Sequence, residues 1–248
     1  MVKLLIQVIK FEFKLFFRNM INLFFLLVFP TMMLVIFGNI FGNMPVAQFG
    51  GFGTIDVSIP AYAGMIISVN GLMNLPLTIC EYREKKVLKR YKATPLNPVL
   101  VVISQLIVNL IMTVVGMAVL VLFAWWLFDV NFYGNIVVTA LIFLLSVLSV
   151  FALGFVIASV SPNIKVASAV ANLVYFPMLF LTGATIPLAL MPELMQNIAQ
   201  FLPVTHVVNV LINSWTGMPT VEVGTSILVL TVVTMVGFGV SFKFFKWE

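Results

Sequence analysis

Six apolar stretches alternate with short polar segments along this chain, at roughly 21–41, 60–80, 99–127, 135–160, 165–187 and 223–242. Each has at least the ~20 residues that carry a helix across ~30 Å of hydrocarbon, so the pattern predicts six transmembrane helices. The second stretch is the least apolar, interrupted by Gly64, Asn70, Gly71, Asn74 and Pro76. The third is long enough to tilt or to extend into the cytosol. Ahead of the first stretch, a helix turning about 100° per residue would gather Lys3, Gln7, Lys10, Lys14 and Arg18 into a sector of about 80°. Leu4, Leu5, Val8, Ile9, Phe11, Leu15 and Phe16 would cover much of the rest. Residues 1–19 therefore read as an amphipathic helix lying in the headgroup plane. Glu12 breaks its apolar face, and either reaches back to water or pairs with a cation of the large inner loop. Residues 42–59 form a Gly-rich outer loop. Before the last span, in 188–221, Pro192 and Glu193 suit a helix start. Leu194, Ile198, Phe201 and Leu202 then recur on one face until Pro203, predicting a short re-entrant or interfacial outer helix.

Charge orients this array. Lys3, Lys10, Lys14 and Arg18 precede span 1, and Arg83, Lys85, Lys86, Lys89, Arg90 and Lys92 lie between spans 2 and 3. Lys165 falls between spans 4 and 5, while Lys243 and Lys246 follow span 6. The intervening loops carry only acids: Asp56, Asp129, Glu193 and Glu222. Cations concentrate on the cytoplasmic side, so both termini are expected inside. The fold class is an all-α integral membrane protein, one domain over 1–248, in the cell (inner, cytoplasmic) membrane.

Composition agrees. With 62% apolar and 8% charged residues and a mean hydropathy of +1.17, the chain lacks the polar surface of a soluble fold. Its net charge of +5 faces the anionic inner leaflet and implies no nucleic-acid partner. No cleavable signal is expected, because the first apolar run is long enough to span and lacks a small-residue cleavage site. The single cysteine, Cys80, reads as a packed side chain.

Enzyme chemistry has little to stand on. No Gly is followed by Lys, so a Walker A loop is absent and the chain cannot cradle ATP phosphates in that way. One His and one Cys exclude a clustered zinc or iron site, and no cofactor or metal is expected in the chain itself. His206 reads as a hydrogen-bonding residue at the interface. No charged residue falls near the middle of a proposed span, which disfavours a proton- or sodium-driven carrier. Energy would have to come from outside the bilayer.

The inner loop 81–98 is where that energy would enter. Glu81 and Lys85 are spaced i,i+4 on a helical start, with Val87, Leu88 and Tyr91 as apolar contacts. Thr94-Pro95 and Asn97-Pro98 then break the helix. Glu81, Tyr82, Arg83 and Glu84, followed by Leu88 and by Ala93 through Pro98, resemble the cytosolic loop of type-2 ATP-binding-cassette transporter permeases. That family usually has Gly-Thr-Leu where this chain has Lys86, Val87 and Leu88. Arg18-Asn19 with Pro30 and Gly38 resembles its approach to span 1. Gly183 with Pro187, Met191-Pro192 and Phe201 through Pro203 resembles its signature before the last span.

The resemblance implies a half-transporter that pairs with a second permease subunit and with cytosolic ATPase subunits, which hold the ATP and Mg. It implies that the N-terminal helix and residues 81–92 seat the ATPase, making Glu81, Tyr82, Arg83, Glu84, Lys85, Leu88 and Tyr91 coupling candidates. It also implies that spans 2 and 5 line the path, where Asn70, Asn74, Asn172 and Tyr175 are candidates. Unpaired amides in hydrocarbon cost several kcal/mol, so these groups must face protein or a wet cavity. Gln105 and Asn109 read as interhelical hydrogen-bond glue; for Asn70, Asn74 and Asn172 cavity and glue stay equally open. Gly154/Ala158 and Ala167/Ala171 suit close helix packing. Abundant Phe and Met and no fixed charge in the path favour a hydrophobic or amphipathic cargo, as in the drug-efflux members. The alternatives are export of a polysaccharide or teichoic-acid precursor, or a non-transporting scaffold or immunity protein.

Overall fold

The computed structural model describes residues 2–46, 50–87, 98–183, 191–218 and 222–244. Among them are nine helices, α1–α9, and a lone Pro45–Gly53 bridge stands in for any sheet. Helix α1 (Val2–Arg18) is the amphipathic segment, with Val8 and Phe16 buried and Phe11 and Phe17 exposed. Spans 1 to 6 are α2 (Met20–Phe41), α3 (Thr54–Glu84), α4 (Pro98–Phe128), α5 (Ile136–Val160), α6 (Ile164–Leu181) and α9 (Glu222–Phe244). Between the last two lie α7 (Glu193–Ala199) and α8 (Pro203–Thr216).

Span 2 is the axis of the bundle. In its most apolar window 83% of residues are buried, against 17–33% in the other spans. Its low hydropathy follows from that position, because a helix that faces protein rather than lipid need not be uniformly apolar. Gly71 and Gly154 make a close approach: a Cβ on Gly154 would stand 2.0 Å from the Gly71 carbonyl oxygen. Span 4 therefore packs backbone to backbone against span 2, which identifies the helix that Gly154 meets.

Two stretches, Phe24–Val28 and Val69–Asn74, are wound as π-helix. Each sits just before a proline, Pro30 or Pro76, whose ring would otherwise press on the carbonyl four residues earlier. The wider turn relieves that clash and rotates the following side chains.

Three boundaries differ from the sequence reading. Span 2 runs from Thr54 to Glu84 rather than 60–80, so Asp56 lies in its first turn and Glu81–Glu84 in its last. Span 5 ends at Leu181, and residues 184–190 lie outside the described part. The outer region holds two helices rather than one. The amphipathic run stops at Ala199, and α8 follows with eight buried residues, Val204, Val207, Val208 and Leu211 among them. This helix packs on the outer half of span 2, where Val208 lies 2.8 Å from a Cβ built on Gly64. Gly217, at φ 71°, closes it in the left-handed conformation that glycine adopts without strain.

Candidate coupling site and span network

The Glu84 end of span 2 grips the turn between spans 4 and 5. Pro162 has no N–H, so the Ala158 carbonyl at the end of span 4 has no donor four residues on. Arg83 supplies one: its Nη2 donates to the Ala158 oxygen at 3.1 Å and to the Ser161 oxygen, and lies 3.3 Å from the Cys80 sulfur. On the other side of the turn, Glu84 Oε2 accepts from the Ile164 N–H at 3.1 Å, in the first turn of span 5. A guanidinium thus meets the negative end of one helix and a carboxylate the positive end of the next. Both contacts are electrostatically favourable, and together they hold residues 161–164 from two sides.

Beyond Glu84 the chain turns. Lys85 pairs with Glu81 on the surface, and Lys86 takes φ 55°, the left-handed region. Glycine is the residue that occupies this region at no steric cost, and the resembling permeases usually carry it at this position. Leu88 and Tyr91 lie outside the described residues.

The second face of this end meets α1. Glu12 is 2% exposed, and its Oε2 accepts from the Tyr82 hydroxyl at 2.6 Å and from the Gln105 amide. Among the described residues neither expected environment, water or a loop cation, is found: both partners are neutral, and Oε1 has no partner. Burial pushes its carboxyl up to about 7 against the lowering effect of the Tyr82 bond.

From Gln105 a chain of amides climbs into the bundle. Asn109 Nδ2 donates to the Gln105 backbone oxygen at 2.7 Å. Asn70 Nδ2 donates to the Asn109 backbone oxygen and to Thr113 Oγ1, both at 2.7 Å. Asn74 Nδ2 donates to Asn70 Oδ1 at 2.9 Å and Asn109 Oδ1 at 3.0 Å, and itself accepts from Asn22 of span 1. Spans 1, 2 and 3 are thereby tied from α1 to about 20 Å above Glu84, at 1.5 Å per residue. Asn70 and Asn74 face this network. The partners of Asn22 and Thr113 could not be read from spacing, because they lie on different helices whose rotation the sequence does not fix.

On span 5, Tyr175 is buried, and Asn172 is half-buried and donates to the Ser168 backbone oxygen at 2.8 Å. The opposite face, with Val166, Leu173, Phe176 and Phe180, is exposed in the single chain.

At the opposite end of span 2, Asp56 is buried. It accepts from Asn43 Nδ2 and the Asn131 N–H, both at 3.1 Å, while Asn43 Oδ1 caps the start of span 2. His206 has both ring nitrogens engaged, with Ser226 Oγ and the Gln200 oxygen at 3.0 Å. Among the described residues no group of three metal-ligating side chains converges.

Five apolar helices around a polar-seamed central span, with a charged turn fastened to its neighbours, describe a multi-pass membrane protein. A family model for the ABC-2 type transporter matches residues 3–215, and the chain belongs to that family. It is also similar to two proteins named Nodulation protein J. The one from Rhizobium leguminosarum bv. viciae is 36% identical over 90 residues, which cover 36% of this chain and 35% of that protein. The one from Rhizobium meliloti (strain 1021) is 31% identical over 90 residues, 36% of this chain and 34% of that protein. The aligned stretch thus spans about a third of either relative. Membership of the family makes the chain a membrane-embedded permease.

Proposed function

We propose that this permease exports a hydrophobic or amphipathic cargo, with force from a separate ATPase entering at residues 81–92 on the cytoplasmic face. The observation that carries the reading is the double fastening of span 2's inner end, by Arg83 and Glu84 to the span 4–5 turn and by Tyr82 to α1. A push on Lys85 and the residues after it would be delivered at once to spans 2, 4 and 5 and to the interfacial helix. In this mechanism the subunit pairs with a second permease, and the exposed stripe of span 5, with Asn172 beside it, faces the partner or the path. Any use of span 2 by cargo would fall on its half-exposed face of Met73, Leu77 and Thr78.

Co-reconstitution with its ATPase in proteoliposomes tests the reading. Hydrolysis stimulated by lipophilic drugs or amphipathic peptides, with ATP-dependent movement of the same compounds, supports it. Stimulation by lipid-linked sugars alone would assign the chain to glycan export. Hydrolysis indifferent to every cargo would leave a scaffold.

A further inference from the structure

A cavity of about 610 Å³ lies where α1, the start of span 1 and the inner ends of spans 2 and 3 meet. Its volume falls within the ~300–1,000 Å³ of small-molecule sites. Two cations, Arg18 and Lys85, and two acids, Glu12 and Glu81, line it. Lys85 and Glu81 satisfy each other. The other two do not: among the described residues Arg18 makes no ion pair or hydrogen bond, and the Oε1 of Glu12 has no partner although the residue is 2% exposed. Among the described residues, a cation and a buried acceptor without partners therefore share this cavity. Met20 and Ile21 form its lip and are 72% and 71% exposed, on the side where the first span enters the lipid. An amphipathic helix such as α1 lies at headgroup depth, and so does a cavity at its C-terminal end.

We propose that this cavity holds the headgroup of an aminophospholipid, its primary ammonium on the free oxygen of Glu12 and its phosphate on Arg18, with the acyl chains leaving over Met20 and Ile21. The recognised chemistry is the phosphoethanolamine group. A headgroup with phosphate alone leaves Glu12 unanswered and places a second anion beside it. A quaternary ammonium has no N–H to donate. A free phosphoethanolamine satisfies both charges but leaves the apolar lip open to water. A bound lipid here would brace α1 against Tyr82 and span 3. The site is independent of the cargo and of ATP, so failure of the export reading does not affect its test.

Native mass spectrometry of the full chain, released from nanodiscs of equal parts dioleoyl phosphatidylethanolamine, phosphatidylcholine and phosphatidylglycerol, reads the occupant directly. One phosphatidylethanolamine per chain is expected, at about tenfold preference over either other lipid, and Glu12→Gln and Arg18→Gln should each reduce that preference about tenfold. Arg18 is exposed, so its variant folds whatever the fate of Glu12→Gln. Equal retention of the three lipids, preference for phosphatidylglycerol, or unchanged retention in Arg18→Gln overturns the assignment. Free O-phosphoethanolamine displacing the lipid at equal concentration overturns a membrane source for the ligand.

Discussion

Replacing Arg83 separates the clamp from a merely charged loop. The guanidinium is 9% exposed and donates to two backbone carbonyls, one of them orphaned by Pro162. Hydrogen bonds to a charged group contribute about 1.5–3 kcal/mol each, and a cation at a helix C-terminus adds up to ~2 kcal/mol. Against this stands the desolvation of the guanidinium, which is relieved on its removal. The net loss for Arg83→Ala is about 3 kcal/mol, or a melting shift of roughly 6–12 °C for a chain of this size. Arg83→Lys keeps the charge but not the fork of donors, and should recover about half of that. Lys85→Ala removes only a surface pair and should leave melting unchanged. The assay is thermal unfolding of the purified chain in detergent, followed by cargo-stimulated ATPase activity in proteoliposomes. Arg83→Ala should retain the ATPase yet lose stimulation. A variant that melts within about 1 °C of the parent and is stimulated normally would refute the clamp.

Three further outcomes follow from the same contacts. Lys86→Gly should raise stability by up to about 1 kcal/mol, because the left-handed backbone costs a lysine about 1–2 kcal/mol and a glycine only chain entropy; a lower melting temperature would contradict it. Gly154→Ala, whose new methyl would stand 2.0 Å from the Gly71 oxygen, should cost more than about 2 kcal/mol or abolish folded yield, read by size-exclusion profile and melting. Glu12 binds its proton more tightly folded than unfolded, its carboxyl standing at about 7 rather than 4.5. Its contribution is therefore complete below pH 4.5 and lost as pH rises through 7, a fall of about 3 kcal/mol at ~1.36 kcal/mol per unit. Melting curves across that window should flatten in Glu12→Gln; an unchanged slope would mean that another group titrates.

The membrane layout was legible because length and apolarity are local properties: all six spans were found, and the amphipathic α1 with them. What escaped depended on neighbours. Span 2 looked weak and short by hydropathy, yet it extends over its flanking polar turns because the other helices shelter Asp56 and Arg83. Helix α8 differs from the expectation of one short helix although Val204, Val207, Val208, Leu211 and Trp215 recur at helical spacing: Pro203 reads as a stop for the run before it, yet it occupies the first turn of the next helix. Arg83 and Glu84 were picked out by motif, but their partners, the carbonyls and N–H of the span 4–5 turn, are backbone groups 75 to 80 residues away and leave no trace in side-chain spacing. Glu12 was seen as anomalous; its neutral partners required the rotation of α1 about its axis.

The central claim is that the ATPase presses on the turn after Glu84. Lys86→p-benzoylphenylalanine, in the assembled complex, places a photoreactive group on that turn, and Phe201→p-benzoylphenylalanine places one on the opposite end of the bundle, where the side chain is 88% exposed. Irradiation should join position 86 to the ATPase subunit, with a yield that changes when ATP is bound, and should join position 201 to lipid or to nothing. Crosslinking of the ATPase from position 201, or none from position 86 in an assembled complex, would contradict the account.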